Sequence, residues 1–280
     1  EPMCEHTSFK IGGNADLFIK PENTNELIFS LKSAKKHSVP VFILGKGSNI
    51  LVSDLGIEGA VISLLKMDAV TVNGDMIVSE CGANLSSVCI KAQQNGLSGL
   101  EFAYGIPGSI GGALYMNAGA YDGEMSQVVE GAYCLDEDLN EVYIEKGKME
   151  LSYRHSIFQK KMIITRVVFR LKEGQSRDIS AKMDELLQRR KSKQPLEFPS
   201  AGSTFKRPVG GYAGTLIEKN GLKGAKCGGA MVSDKHAGFI INFDNATAND
   251  VENLINKVRE TVKAGDGITL EPEVIFVGRR

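Results

Sequence analysis

Three short segments carry side chains that can hold anions or move protons. They are Ser152-Tyr153-Arg154-His155-Ser156, the run SAGSTFKRP over residues 200–208, and the run LEPEV over residues 270–274. An arginine grips a carboxylate through two parallel hydrogen bonds. A serine hydroxyl passes a proton when a cation or relay assists it. A carboxylic acid donates a hydrogen bond to developing negative charge. Each segment also has a plainer reading: a surface turn at Tyr153-Arg154, a loop before a bend at SAGSTFKRP, and a solvated strand entry at Glu271-Pro272-Glu273.

A second kind of chemistry belongs to two glycine-rich stretches. Residues 105–121, GIPGSIGGALYMNAGAY, carry no charge and combine glycine, alanine and one proline. Such backbone approaches a partner closely, because glycine has no Cβ to stand off and leaves N–H groups exposed. It suits a cradle for a polyanionic or flat cofactor; a tight turn and helix crossing without a ligand is the alternative. The other stretch is Gly45-Lys46-Gly47-Ser48-Asn49, which follows the apolar run VPVFIL. Strand then glycine turn is a common phosphate-site layout. The familiar fingerprints are absent. A dinucleotide-binding GxGxxG would need glycine at position 50, which is Ile50, and Gly47 separates Lys46 from Ser48 where a P-loop would join them.

These segments need a scaffold, and 280 residues suffice for a sizeable core and for its division in two. Asn23 with Glu26 has capping-box spacing before a helix whose inner face is Leu27, Ile28, Leu31 and Ala34. Strands are expected over 41–44, 59–64 and 162–171, and a hairpin over 70–83 turning at Asn73-Gly74. Residues 84–95 read as a helix, and 128–145 as two strands around DEDLN. The polar stretch 172–177 is the expected lobe boundary. The next helix turns Ile179, Met183, Leu186 and Leu187 inward and Arg189-Arg190-Lys191 toward solvent or a ligand. Asn249 with Glu252 suggests a second capping box, and EVIFVG a closing strand. The class is α+β with two lobes.

Composition excludes several functions. A net charge of −1 gives no bulk attraction to nucleic acid or membrane. No apolar run reaches the ~20 residues of a membrane span, and EPMCEHTSFK has no apolar core of a signal peptide. Cys4, Cys81, Cys89, Cys134 and Cys227 form no CxxC or zinc spacing, so reduced structural cysteines and no metal are expected.

Taken together, LGKGSNILVSD, GIPGSIGGALYMNAGAY, YRHSIF, SAGSTFKRP and LEPEV, in that order, resemble the UDP-N-acetylenolpyruvoylglucosamine reductases. HTSFKIGG, GGYAGTLIEKNGLKG and GGAMVSDKHAGFIIN extend the resemblance over nearly the whole chain. It implies a two-part FAD-binding lobe of the vanillyl-alcohol-oxidase type over 1–174, with subdomains of about 1–66 and 67–174, and a smaller α+β substrate-binding domain over 175–280. The last strand is allowed to pack back near the flavin. The short 172–200 segment places the chain in the branch without an extra tyrosine loop.

The activity so implied is reduction of UDP-N-acetylglucosamine enolpyruvate to UDP-N-acetylmuramate, a peptidoglycan precursor, by NADPH through noncovalent FAD. Hydride passes from flavin N5 to the enolpyruvyl β-carbon, and the α-carbon is then protonated. By the resemblance Arg154, Ser203 and Glu273 are catalytic: Arg154 meets the carboxylate, Ser203 gives the proton, and Glu273 stabilises the enolate in its acid form. Gly45, Lys46, Gly47, Ser48, Asn49, Pro107, Gly108, Ser109, Gly111 and Gly112 hold FAD, with Asn117, Gly119, Ala120 and Tyr121 closing over it. Tyr153, Lys206 and Arg207 contact substrate. Lys206, or a lysine at 191 or 193, is the candidate cation assisting Ser203. Arg207 departs from the FKNP pattern, which has asparagine there. A monomer in the bacterial cytoplasm, with only small-molecule partners, is expected. Two other readings are a flavin-dependent alcohol or sugar oxidase, which lacks the SAGSTFK and LEPEV segments, and a non-catalytic flavin- or nucleotide-sugar-binding protein, which needs a damaged catalytic set.

Overall fold

The computed structural model describes residues 1–280. Its contacts divide the chain into two compact units, each built from separated segments. One comprises Glu1–Phe18, Gly47–Val61 and Lys191–Arg280; the other comprises Ile19–Lys46 and Ile62–Arg190. These units describe packing, whereas the expected lobes 1–174 and 175–280 concern which small molecule each part holds.

In chain order the first elements are β1 (Ala15–Ile19), α1 (Thr24–Lys36), β2 (Val41–Leu44), β3 (Ile50–Val52) and β4 (Ile57–Ser63). Asn23 caps α1 as its spacing requires: its side chain accepts from Glu26 N at 3.0 Å. β5 (Val70–Asn73) and β6 (Met76–Glu80) form the expected hairpin. They are followed by α2 (Leu85–Gln94), β7 (Leu97–Ser98), α3 (Ile110–Tyr115), β8 (Gly119–Ala120), β9 (Gly123–Glu124) and α4 (Met125–Val128). Then come β10 (Val129–Leu135), β11 (Glu141–Glu145), β12 (Ile163–Arg170) and β13 (Lys172–Glu173). The expected polar boundary is therefore partly strand, since β13 pairs with β7.

The unit holding these later strands is centred on a five-stranded antiparallel sheet, in the order β11-β10-β12-β6-β5. Ala132, Cys134, Val167 and Phe169 on its strands are fully buried, and α2 and α3 contribute Leu85, Val88, Ile110 and Leu114 to the same core. The next helix, α5 (Ser176–Lys193), adds Ile179 and Met183. Arg190 differs from expectation: it lies on the buried side of α5 and is 6% exposed. Its long apolar stem lets a charged residue share an inner face.

The other unit contains α6 (Ala213–Lys219), β14 (Lys226–Cys227), β15 (Ala230–Val232), β16 (Ile240–Asn242), α7 (Ala248–Asp266) and β17 (Ile275–Val277). Val251, Leu254, Ile255, Val258 and Val262 form one fully buried stripe on α7. Burial contributes about 1.5–3 kcal/mol for each such side chain. The helix begins two residues earlier than its asparagine suggests: Thr247 and Asp250 form the capping box, and Asp54 accepts from Ala248 N and Asn249 N. β17 pairs in parallel with β3, matching Ile275 to Ile50 and Val277 to Val52. The closing strand thus packs on the segment that follows the Gly45–Asn49 turn.

Candidate active site

Backbone proximity builds the glycine cradle. A Cβ added to Gly45, just after β2, would stand 2.7 Å from Ser109 Oγ. The first glycine turn therefore touches the loop that opens α3. That loop lies against residues 81–85: Leu85 N donates to Gly108 O at 3.1 Å, Ile110 N to Ala83 O at 2.9 Å, and Gly111 N to Cys81 O at 2.7 Å. Gly111 permits this approach, since a Cβ there would lie 2.9 Å from Cys81 Cβ. Ser109 caps α3, accepting from Gly112 N at 3.4 Å.

These bonds decide which donors a ligand can use. The N–H groups of Ile110, Gly111 and Gly112 are spent on protein acceptors. Those of Gly108 and Ser109 are not, although both residues are buried. A cavity of about 210 Å³ opens here, lined by Lys46, Leu65, Asp68, Gly82 and Asn84. Unspent donors, a lysine and a side-chain-free approach fit a phosphate-bearing cofactor. Gly47 meets a different demand, with φ of +63° and no room for a Cβ beside His6 O.

The segment after α3 turns back on itself. β8 and β9 pair across Tyr121 and Asp122, both in the left-handed region at φ of +54° and +65°. Arg189 and Arg190 lie over the Tyr121 ring, 5.1 and 5.7 Å from its centre. Burial holds the Arg190 guanidinium below its ordinary pKa, and Tyr121 partly offsets this. Asn117 has no exposed surface, and its amide is committed to protein: Nδ2 donates to Ser152 O at 3.0 Å and Oδ1 accepts from Ser126 N at 2.9 Å.

Arg154 occupies a tight turn in which Ser152 and His155 exchange backbone hydrogen bonds of 3.2 and 3.0 Å. Its φ of +56° is unusual for a residue with a side chain. The guanidinium lies 5.0 Å from the centre of the Tyr153 ring. Gln159 Nε2 donates to Arg154 O and to Tyr115 O, each at 3.1 Å. His155 faces Glu150 and Gln159.

Ser203 and Glu273 belong to a second construction. Lys206 N donates to Glu271 O at 2.9 Å and Glu273 N to Thr204 O at 2.8 Å, with Phe205 opposite Pro272 in antiparallel register. SAGSTFKRP and LEPEV are thus adjacent extended segments joined at one antiparallel bridge. Ser203 is exposed, and buried Thr204 anchors it through Thr204 N to Gly238 O at 2.9 Å and Ile240 N to Thr204 Oγ1 at 3.0 Å. Asn49 clamps the partner segment: its Nδ2 donates to Glu273 O at 3.3 Å and its carbonyl accepts from Ile275 N at 3.0 Å. Lys206 Nζ pairs with Glu271 at 3.3 Å, and Arg207 lies over the Tyr212 ring at 4.7 Å. A larger cavity, about 450 Å³ beside Asn242–Ala246, contains none of these residues.

Comparison with known proteins resolves the family. Residues 15–139 match the model of an FAD binding domain, and residues 194–277 match the C-terminal domain of UDP-N-acetylenolpyruvoylglucosamine reductase. The UDP-N-acetylenolpyruvoylglucosamine reductase of Clostridium perfringens strain SM101 is 49% identical over 279 residues, covering 99% of this chain and 92% of that protein. The Caldanaerobacter subterraneus reductase is 51% identical over 281 residues, covering 100% and 93%. The crystal structure of the Thermus caldophilus reductase superimposes with a TM-score of 0.85 at 33% identity, over 99% of this chain and 97% of that one. The chain belongs to the UDP-N-acetylenolpyruvoylglucosamine reductase family.

Within this reductase family the matched segments divide the candidate residues. The glycine turns fall in the first, Ser203 and Glu273 in the second, and Arg154 between them. Gly82 and Asn84 were missed in the sequence although β6-Gly-helix repeats the layout seen after β2. Arg189 and Arg190 read in the sequence as part of a basic run facing solvent or a ligand; the inward spacing of Met183, Leu186 and Arg190 is the signal for the burial of Arg190.

Proposed function

We propose that this reductase-family chain reduces UDP-N-acetylglucosamine enolpyruvate to UDP-N-acetylmuramate, a step of peptidoglycan precursor synthesis, with FAD as cofactor and NADPH as reductant. The full-length identity to curated reductases carries this reading. Gly108 and Ser109 N–H, unspent on protein acceptors, and Lys46 would receive the phosphates of the cofactor. When bound, FAD relays hydride from NADPH to the β-carbon of the enolpyruvyl group.

The chain's own residues manage the charge that results. Arg154 pairs with the substrate carboxylate, where a guanidinium acts in two-pronged fashion. Glu273 in its acid form donates to the enolate oxygen. Ser203 Oγ–H gives its proton to the α-carbon, and the exposed serine recovers one from water. Tyr153 and Arg207 contact the sugar nucleotide. Lys206 is partnered by Glu271, so its contact with substrate requires release of an exposed ion pair, an interaction of about 0–1 kcal/mol. The FAD-binding part spans residues 1–174 and the substrate-binding part 175–280. The flavin is held noncovalently, and the protein acts as a cytoplasmic monomer. No helix is long and apolar enough to cross a membrane.

An anaerobic titration at the flavin absorbance band tests this reading. Bleaching by NADPH and return of colour with UDP-N-acetylglucosamine enolpyruvate is the expected result. Bleaching without return discards the acceptor, and failure to bind FAD on reconstitution discards the cradle.

A further inference from the structure

We propose that Asn117 is a positioning residue for Arg154, and that the end of α3 holds the Arg154 turn rather than only lining a cofactor. The observation is a pair of part-buried hydrogen bonds, one on each side of that turn, each donated by a buried side chain. Asn117 Nδ2 donates to Ser152 O at 3.0 Å, and Ser156 Oγ donates to Tyr115 O at 2.7 Å. Asn117 and Ser156 are both fully buried. Ser152 and Ser156 flank Arg154, and Tyr115 and Asn117 lie at the C-terminal end of α3. The helix end therefore grips both sides of the turn.

Each polar atom of the Asn117 amide makes one hydrogen bond to protein. Ser126 N fixes its Oδ1 at 2.9 Å, which orients Nδ2 toward Ser152. The N–H given to Ser152 O and the lone pair given to Ser126 N are not available to a cofactor. The backbone explains why an asparagine stands here: φ is +40°, a region that asparagine tolerates better than most residues. Arg154 sits at φ of +56°, a left-handed conformation that crowds the Cβ of an L-residue. Surrounding bonds must hold it there. Ties made by the fully buried Asn117 and Ser156 side chains do so more firmly than the exposed bonds of Gln159 to Arg154 O and Tyr115 O, since a buried side chain has less access to water as an alternative partner.

This inference rests on the proposed role of Arg154, and its test separates the two. Asn117→Asp keeps the acceptor for Ser126 N and replaces the donor to Ser152 O with an oxygen. Stopped-flow on the FAD-loaded variant should show flavin reoxidation by the enolpyruvyl substrate slowed on the order of 100-fold, as for a misplaced catalytic group. Flavin reduction by NADPH should slow by at least about tenfold less than reoxidation does. In an Arg154→Ala background, Asn117→Asp should add less than about threefold, because its effect passes through the missing side chain. In the flavin-free protein, the His155 amide, bonded to Ser152 O, should exchange with deuterium on the order of tenfold faster.

Equal slowing of both half-reactions, multiplying effects in the double variant, or unchanged amide exchange would overturn the proposal. Normal reoxidation in Arg154→Ala alone would remove the role of Arg154 and this inference with it. Slow reoxidation in Arg154→Ala beside a normal Asn117→Asp would remove only the inference. Should Asn117→Asp not fold, Ser156→Ala cuts the opposite tie and carries the same expectations and the same reversals.

Discussion

The backbone N–H of Glu273 donates to the carbonyl of Thr204 at 2.8 Å, which ties Glu273 to the residue after Ser203. A proposed proton donor and a proposed enolate stabiliser thus ride on one bridged pair of segments, and Asn49 secures its far edge. Ser203→Ala should leave flavin reduction by NADPH intact and slow reoxidation by the enolpyruvyl substrate by about 10²–10⁴-fold, the range for lost general acid chemistry. Stopped-flow measurement of the two half-reactions checks this; normal turnover removes Ser203 as the donor.

Glu273 gives a sharper test of protonation state. If it acts as an acid-form hydrogen-bond donor, the amide of Glu273→Gln supplies a replacement donor and retains more reoxidation rate than Glu273→Ala, by roughly tenfold or more. Equal rates for the two variants would show that donation from this position is not used.

Arg154 and lysine are not equivalent at a carboxylate. Arg154→Lys keeps charge but loses the planar fork. Its reoxidation rate should lie between those of the parent and Arg154→Ala, with flavin reduction little changed in both. Equal loss in both half-reactions would instead indicate a structural role for the turn.

The contact of Gly45 with Ser109 predicts a paired effect. Gly45→Ala puts a methyl group 2.7 Å from Ser109 Oγ and should weaken FAD retention. Ser109→Ala in the same chain removes that oxygen and should recover part of the affinity, less the cap lost at Gly112, about 1 kcal/mol. Fluorescence titration of flavin-free protein measures both. No recovery would mean that the collision is not with the hydroxyl.

Three thiols report on the core. Burial pushes Cys81 and Cys89 up to about 12 and Cys134 up to about 11. A thiol-specific chromogenic reagent at pH 8 should therefore titrate the half-buried Cys4 and Cys227 in native protein, and all five cysteines after denaturation. The same shifts carry a sign for stability. The folded chain keeps protons that the unfolded chain gives up near the ordinary value of 9.0, so this stability is present below about pH 9 and lost toward pH 12. Denaturant midpoints that rise between pH 9 and 11 would contradict it.

Local signals in the sequence were strong where chemistry is local. Asn23 with Glu26 marks α1, and Asn73-Gly74 marks the β5–β6 hairpin, because a cap and a turn each need specific residues within four positions. At α7 the asparagine misled by two residues, since Thr247 takes the cap with Asp250 and Asp54 reaches in from far along the chain. The candidate motifs were legible as residue types; their pairing was not. Nothing in LEPEV states that Pro272 faces Phe205, and nothing in NAGAY states that Asn117 spends its amide on Ser152. Long-range partners are chosen by register and burial, which no short window contains.

The parallel pairing of β17 with β3 sets an order of events during synthesis. Asn49 and Glu273, joined by a hydrogen bond, lie 224 positions apart. At ~5–20 residues per second, roughly 10–45 s separate their emergence from the ribosome. Through that interval the Ile50–Val52 strand lacks its final neighbour, while all of Ile62–Arg190 is made before the interval ends. The unit with the five-stranded sheet can assemble on the nascent chain, and the unit carrying Ser203 must wait for Ile275–Val277 to emerge. A chain truncated before Ile275 would leave an apolar edge open to pairing with other chains.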